Sequence, residues 1–186
     1  FDVWSNAWLN VFVTGATPPP RRTEVPSAIF DPVWQRTIMF GGGTSNKSSR
    51  LYKALVETEL AAGAGGGLMA SVDPYLFSIA ATVRKGHTLA EVEKALDAEI
   101  DRVLNEPVSE AELAKALKQA KAMFAFSAES VSNLGFWYGF SEIIDSYEWF
   151  ENYLDRLTQV TVADVHRVAQ KYLARSNRTV GWYQPK

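Results

Sequence analysis

The sequence predicts an α+β fold, a sheet covered on one face by helices, and three observations carry that prediction. Two capping-box signatures, Thr88 with Glu91 and Ser109 with Glu112, each open a run of apolar residues at helical spacing. The segments YLFSIAATV (75–83) and RTVGWY (178–183), rich in aromatic and β-branched residues, read as strands on either side of that helical middle. A chain of 186 residues with 47% hydrophobic content is also long and apolar enough to bury a core of its own.

The elements follow in order. Residues 1–13 fit a strand or the tail of a helix and are assigned to the end of a preceding segment. GATPPPRRTEVP comes next; consecutive prolines donate no backbone hydrogen bonds and hold the chain extended, so residues 14–30 read as a linker and 31–186 as a domain. Asp31 as cap and Pro32 at the first helical position predict a helix over 31–40, stopped by Gly41, Gly42 and Gly43. The segment 48–62 predicts a second helix, capped by Ser48 or Ser49, with Leu51, Leu55 and Leu60 along one face. Gly63, Gly65, Gly66 and Gly67 predict a break, followed by strands over 68–73 and 75–83 around an Asp73-Pro74 turn. The helix opened at Thr88 carries Leu89, Val92, Leu96, Ile100 and Val103 and ends at Asn105-Glu106-Pro107; the next runs from Ser109 to about residue 127. A third helical region, 129–156, is bent or broken near Gly135, Gly139 and Asp145. Thr161 caps a last helix, 162–174, with Asp164 placed to complement its dipole.

Composition removes whole classes of chemistry. With no cysteine there is no disulfide framework, thiolate metal site or cysteine nucleophile, and two histidines cannot build a three-histidine zinc site. The balance of 19 basic against 21 acidic residues exerts no general pull toward nucleic acid or an anionic membrane. No apolar run approaches the roughly 18 residues of a spanning helix. The start, Phe1-Asp2-Val3-Trp4, has no basic region of the signal-peptide kind and is expected to be the interior of a longer product. The compartment stays open, with bacterial cytoplasm or periplasm favoured.

Four constellations invite a functional reading, and each has a blander one. GGGTSNKSS (41–49) is one residue from the phosphate-cradling loop, but Asn46 replaces the glycine that lets backbone approach phosphate, and the segment before it reads as helix. A loop leading into a capped helix is favoured, with phosphate or nucleotide binding through Lys47 as the alternative. His87 and His166 lack a second ligand at the spacing by which one helical face grips zinc, and read as solvent-facing or packed. The acids Asp97, Glu99, Asp101, Glu106, Glu110 and Glu112 read as the solvated face of two helices. The aromatic run from Phe136 to Tyr153 reads as core, with a subunit or domain interface as the second possibility.

One resemblance covers nearly the whole chain. GGGTSNKSSRLYKALVETELAAGAGGGLMASVD (41–73) and LFSIAATVRKG (76–86), with the long helices, the 158–185 segment and the linker PPPRRTEVP, resemble the C-terminal half of M16-family zinc peptidases. The resemblance implies one half of a clamshell that closes around an unfolded peptide. In that family the zinc motif His-x-x-Glu-His belongs to the N-terminal half, and this sequence contains no such motif. It therefore implies a non-catalytic, substrate-enclosing domain, with no catalytic residue and no metal ligand on this chain and zinc bound by the other half. The implied partners are that N-terminal catalytic half, a second M16-like subunit in a homo- or heterodimer, and peptide substrate. Gly41, Gly42, Gly43, Ser48, Ser49, Arg50 and Tyr52 become candidates for a substrate-facing loop, although a structural role is favoured for each. Where many members carry a substrate-contacting Arg and Tyr, this chain has Val56 and Gly63, which hints at a parent of the zinc-bearing type. The interval between Pro26 and Gly41 is short for the family: about two additional strands are expected before the helix, and residues are expected to be missing from that interval. A proteolytically inactive assembly subunit is the alternative within the family.

Overall fold

The computed structural model describes residues 8–13, 30–31, 36–37, 47, 49–68 and 76–184. Within them a four-stranded sheet has the order β4-β5-β1-β6, formed by β1 (Trp8–Val13), β4 (Ala61–Leu68), β5 (Phe77–Val83) and β6 (Arg178–Tyr183). Every neighbouring pair in it is antiparallel. β2 (Phe30–Asp31) and β3 (Arg36–Thr37) form a separate two-stranded ladder. The helices are α1 (Leu89–Asn105), α2 (Glu110–Ser127), α3 (Val131–Ile144), α4 (Tyr147–Glu151), α5 (Tyr153–Thr158) and α6 (Val162–Tyr172).

The first strand lies inside the sheet. Val11 stands opposite Ile79 of β5 and, on its other side, Val180 of β6. Strand 8–13 is thus part of the same sheet as the residues beyond the proline-rich segment, rather than the end of something separate. The pairing of Phe30–Asp31 with Arg36–Thr37 likewise replaces the helix expected over 31–40. Asp-Pro is as good an opening for a β-turn as for a helix, and the local sequence does not choose between them. Two short strands lie between Pro26 and Gly41, the interval expected to lack them.

The glycine-rich stretch is the larger correction. Residues 61–68 form edge strand β4, not a break, and are paired along β5 with a one-residue irregularity between Ala61 and Gly63. The helix before β4 is correspondingly shorter than expected. It begins with Lys53 N–H donating to Ser49 O at 3.1 Å, then widens to a π-turn over Tyr52–Val56, in which Glu57 N–H donates to Tyr52 O at 2.9 Å. Glu59, at φ 64°, ends it in the left-handed region that normally favours glycine. That conformation turns the chain sharply from Leu55 in the core to Ala61 in the sheet, both buried. The strand expected over 68–73 falls mostly outside the described residues.

The helical half follows its local signals closely. Thr88 caps α1 with a complete capping box, Ser109 caps α2, and Thr161 with Asp164 caps α6. α3 runs unbroken through Gly135 and Gly139 and ends at Asp145. Val92, Leu96, Ile100 and Val103 are buried along one stripe of α1, which packs on the sheet. They meet Ile79, Ala81 and Val83 of β5, Leu113 and Ala116 of α2, Phe150, Tyr153 and Leu157 of α4 and α5, and Val165 and Ala169 of α6 in one core. The fold is α+β. Among the described residues no helix is long and apolar enough to cross a membrane.

Candidate functional site

Of the residues singled out for a substrate-facing loop, Ser49, Arg50 and Tyr52 lie among the described residues; Gly41, Gly42, Gly43 and Ser48 lie outside them. Ser49 is almost wholly buried, and its Oγ accepts a hydrogen bond from Tyr52 N–H at 3.2 Å, capping the helix start. Arg50 reaches α2: its Nε and Nη2 donate to the two Glu112 oxygens at 2.7 and 2.8 Å, a bidentate pair with little solvent exposure. The hydrogen bond to Glu112 raises the Arg50 pKa above its ordinary value against the pull of burial, and the charges of Glu112, Glu99 and Glu106 add to the rise. Tyr52 is half-buried two residues along, and Lys47 is exposed in a turn. Ser49 and Arg50 thus hold the helix start against α2, while Arg50 Nη1 is buried with no hydrogen-bond partner among the described residues. The segment before the glycine run carries a short strand where a helix is expected, so the case against a phosphate loop rests on Asn46 alone.

The acidic stretch divides: Glu106 and Glu110 are exposed as a solvated face would be, whereas Asp97, Asp101 and Glu112 have specific partners. Arg178 of β6 makes a bidentate pair with Asp97 of α1, at 2.7 and 2.9 Å, and Arg175 reaches Asp101 at 2.8 Å. Asp97, through its hydrogen bonds, raises the Arg178 pKa above its ordinary value. Beside these pairs lies a shallow open depression of about 450 Å³ lined by Ala90, Glu93, Lys94, Asp97, Arg175 and Trp182. Both guanidiniums there are already matched by carboxylates.

The face of the sheet away from the helices is the larger feature. Ile79, Ala81 and Val83 of β5 are buried under the helices, whereas Ala80 between them is exposed. Register places Ser78, Ala80 and Thr82 of β5 in one row with Gly67, Gly65 and Gly63 of β4. On β6 the same side belongs to Thr179, Gly181 and Tyr183, of which Thr179 and Tyr183 are exposed. On β4 and β5 this face is uncharged and built of small residues; across the sheet the same register row continues through Trp8, Asn10 and Phe12 of β1 to Tyr183 of β6. The sequence pattern hid it, because four glycines in five residues signal a loop before they signal a strand.

The resemblance brings zinc into question, and the donors on this chain do not suit it. His87 Nδ1 lies 3.8 Å from Glu91, and His166 Nε2 lies 2.9 Å from the amide nitrogen of Gln170. No group of three imidazole or carboxylate side chains converges as metal ligands would among the described residues.

Comparison with known proteins places this geometry. Residues 37–120, just under half of the chain, match the family described as the Peptidase M16 inactive domain. No curated protein matches the chain. A proposed zinc protease from Bordetella pertussis Tohama I is similar over 100% of this chain and 97% of its own, with 25% identity and a TM-score of 0.77. The inactive peptidase domain of a proposed zinc protease from Bordetella parapertussis shares the fold, with a TM-score of 0.80 and 24% identity over 99% of this chain and 95% of its own. A protease from Helicobacter pylori, 19% identical, superposes with a TM-score of 0.81 over 100% of this chain but only 42% of its own. The fold thus matches nearly the whole of two solved chains and less than half of a third.

Proposed function

We propose that this chain, which carries a Peptidase M16 inactive domain, is the non-catalytic half of a zinc-dependent metalloendopeptidase that encloses unfolded peptide. One observation carries the reading: a match to the inactive domain in a sequence without His-x-x-Glu-His. The fold shared with the Bordetella pertussis protein supports it. So does the β4–β5 part of the open sheet face, where Gly63, Gly65, Gly67, Ser78 and Ala80 set neither bulk nor charge against an extended chain. Zinc and the general base belong to the other half in this reading, and this chain contributes a wall and a surface that orient the peptide. Substrate sequence plays a small part at such a face, because backbone and small side chains discriminate weakly.

The experiment is reconstitution. The 186-residue chain is assayed on a mixed fluorogenic peptide library alone, then together with the His-x-x-Glu-His polypeptide from the same source. No cleavage alone, with cleavage restored or raised on mixing, is the expected result. Stoichiometric zinc in the metal-stripped and reloaded chain by itself overturns the reading. The absence of any His-x-x-Glu-His sequence in the parent or its partner favours the assembly-subunit alternative instead.

A further inference from the structure

The aromatic run of α3 and α4 divides in two. Phe150 and Tyr153 belong to the core, with Phe124 packed against both at ring-centroid distances of 5.0 and 5.2 Å. The outer side of α3 does the opposite and turns large apolar groups to solvent: Val131 is 87% exposed, Ile143 74% and Phe136 59%.

Their spacing gives that side a shape. Val131 and Tyr138 are one heptad apart and form one wall; Phe136 and Ile143 are one heptad apart and form the other. Between the walls run Gly135 and Gly139, one helical turn apart, and a Cβ placed on either meets nothing within 4 Å. Glycine in a helix interior is destabilising relative to alanine, and no packing among the described residues calls for it here. The outcome is a valley with a backbone floor along a 14-residue helix, about 20 Å long. Paired small residues of this kind let another helix backbone come close.

Charge selects the occupant. From Ala122 to Asp155 the sequence has six carboxylates (Glu129, Glu142, Asp145, Glu148, Glu151 and Asp155) and no lysine, arginine or histidine. Glu142 adjoins the valley floor, and its Oε2 accepts Tyr147 N–H at 2.9 Å. A second copy of the same helix would set carboxylates against carboxylates, and an anionic lipid surface would be repelled in the same way. We propose that the α3 valley is a docking groove for a cationic amphipathic helix of a partner polypeptide. Apolar residues of that helix sit over Gly135 and Gly139 between the two walls, and its lysines or arginines meet Glu142, Asp145 and Glu151. This groove is distinct from the open sheet face and stands whether or not the chain serves a peptidase.

The test uses a synthetic amphipathic peptide of leucine and lysine and its leucine–glutamate counterpart, titrated against the whole chain by fluorescence anisotropy at physiological salt. The lysine peptide binds and the glutamate peptide does not. Gly139→Leu fills the valley and weakens binding at least tenfold while leaving the thermal midpoint unchanged or higher, so the loss is not unfolding; Glu142→Lys also weakens it. Equal affinity in Gly139→Leu, or equal binding of both peptides, overturns the proposal. So does a concentration-dependent dimer of the chain that Gly139→Leu dissociates, which would make a second copy the occupant. Binding to phosphatidylcholine–phosphatidylglycerol vesicles that Gly139→Leu abolishes would overturn it in favour of lipid.

Discussion

Arg50 and Glu112, 62 residues apart, are joined by two parallel hydrogen bonds of 2.7 and 2.8 Å that tie the start of the helix before β4 to the first turn of α2. The same carboxylate cannot also close a capping box on Ser109. Its backbone N–H donates to Ser109 Oγ at 3.2 Å, but its side chain belongs to Arg50. Half of the expected box has been diverted to a tertiary contact.

Removing one partner of that pair should therefore cost more than removing both. Glu112→Ala leaves a largely buried guanidinium unmatched and is expected to lower stability by about 2 kcal/mol, whereas Arg50→Met with Glu112→Met should recover part of the loss. Urea denaturation of the two variants and the wild type measures the difference. A double variant less stable than Glu112→Ala would contradict it.

Two glycines of β4 should respond in opposite senses to alanine. A Cβ at Gly66 would lie 3.2 Å from Ser78 O and 3.3 Å from Ile79 Cγ1, so Gly66→Ala is expected to destabilise by about 1–2 kcal/mol. At Gly63 nothing lies within 4 Å, and Gly63→Ala should be neutral or stabilise by a few tenths of a kcal/mol. Thermal midpoints of the two variants decide it.

Acid should loosen α1 and α6 together. The Glu91 carboxylate accepts from Thr88 backbone and hydroxyl, which hold its pKa below the ordinary 4.5, and the Thr161 hydroxyl and backbone hold Asp164 below 3.8. A depressed folded-state pKa gives stability that is complete above the unfolded value and lost as pH falls through the folded one. Glu91→Gln with Asp164→Asn should thus flatten the acid limb of the stability profile below about pH 5 and leave its neutral-to-basic shape unchanged. An acid limb identical to that of the wild type counts against this assignment.

The Asp97–Arg178 pair should govern how firmly β6 is held. Arg178→Gln removes a bidentate contact between α1 and the edge strand, with an expected cost of about 1–2 kcal/mol. Hydrogen exchange should then accelerate in β6 amides before those of β5, which stays paired on both sides. Uniform acceleration across the sheet would mean that the pair acts globally.

Much of the fold was legible where the signal is short-range. Thr88 with Glu91 and Thr161 with Asp164 place their caps within four residues, and both form complete capping boxes. The strands 77–83 and 178–183 announce themselves by composition. The candidate site was less legible. Ser49 as a cap was legible locally, from its place before the apolar run, whereas Arg50 was found by a family likeness and its role depends on Glu112, which no window reading contains. Asp31-Pro32 misled because the same dipeptide starts helices and turns. The glycines of β4 misled because strand formation there depends on the partner β5, whose Ile79 and Phe77 crowd Gly66.

The sequence by itself determined the helix boundaries with capping chemistry, the α+β class, the lack of cysteine ligands and the scarcity of histidine. Each is set by neighbours within a few residues or by composition, although a distant contact can still divert a capping side chain, as Arg50 does Glu112. Only the tertiary structure decided that residues 8–13 sit between β5 and β6, that 61–68 is a strand, that Asp97 pairs with Arg178 and Glu112 with Arg50, and that α3 turns its glycine valley outward. Those are pairings between segments brought together by burial of one shared core, and a pairing energy exists only once both partners are in place.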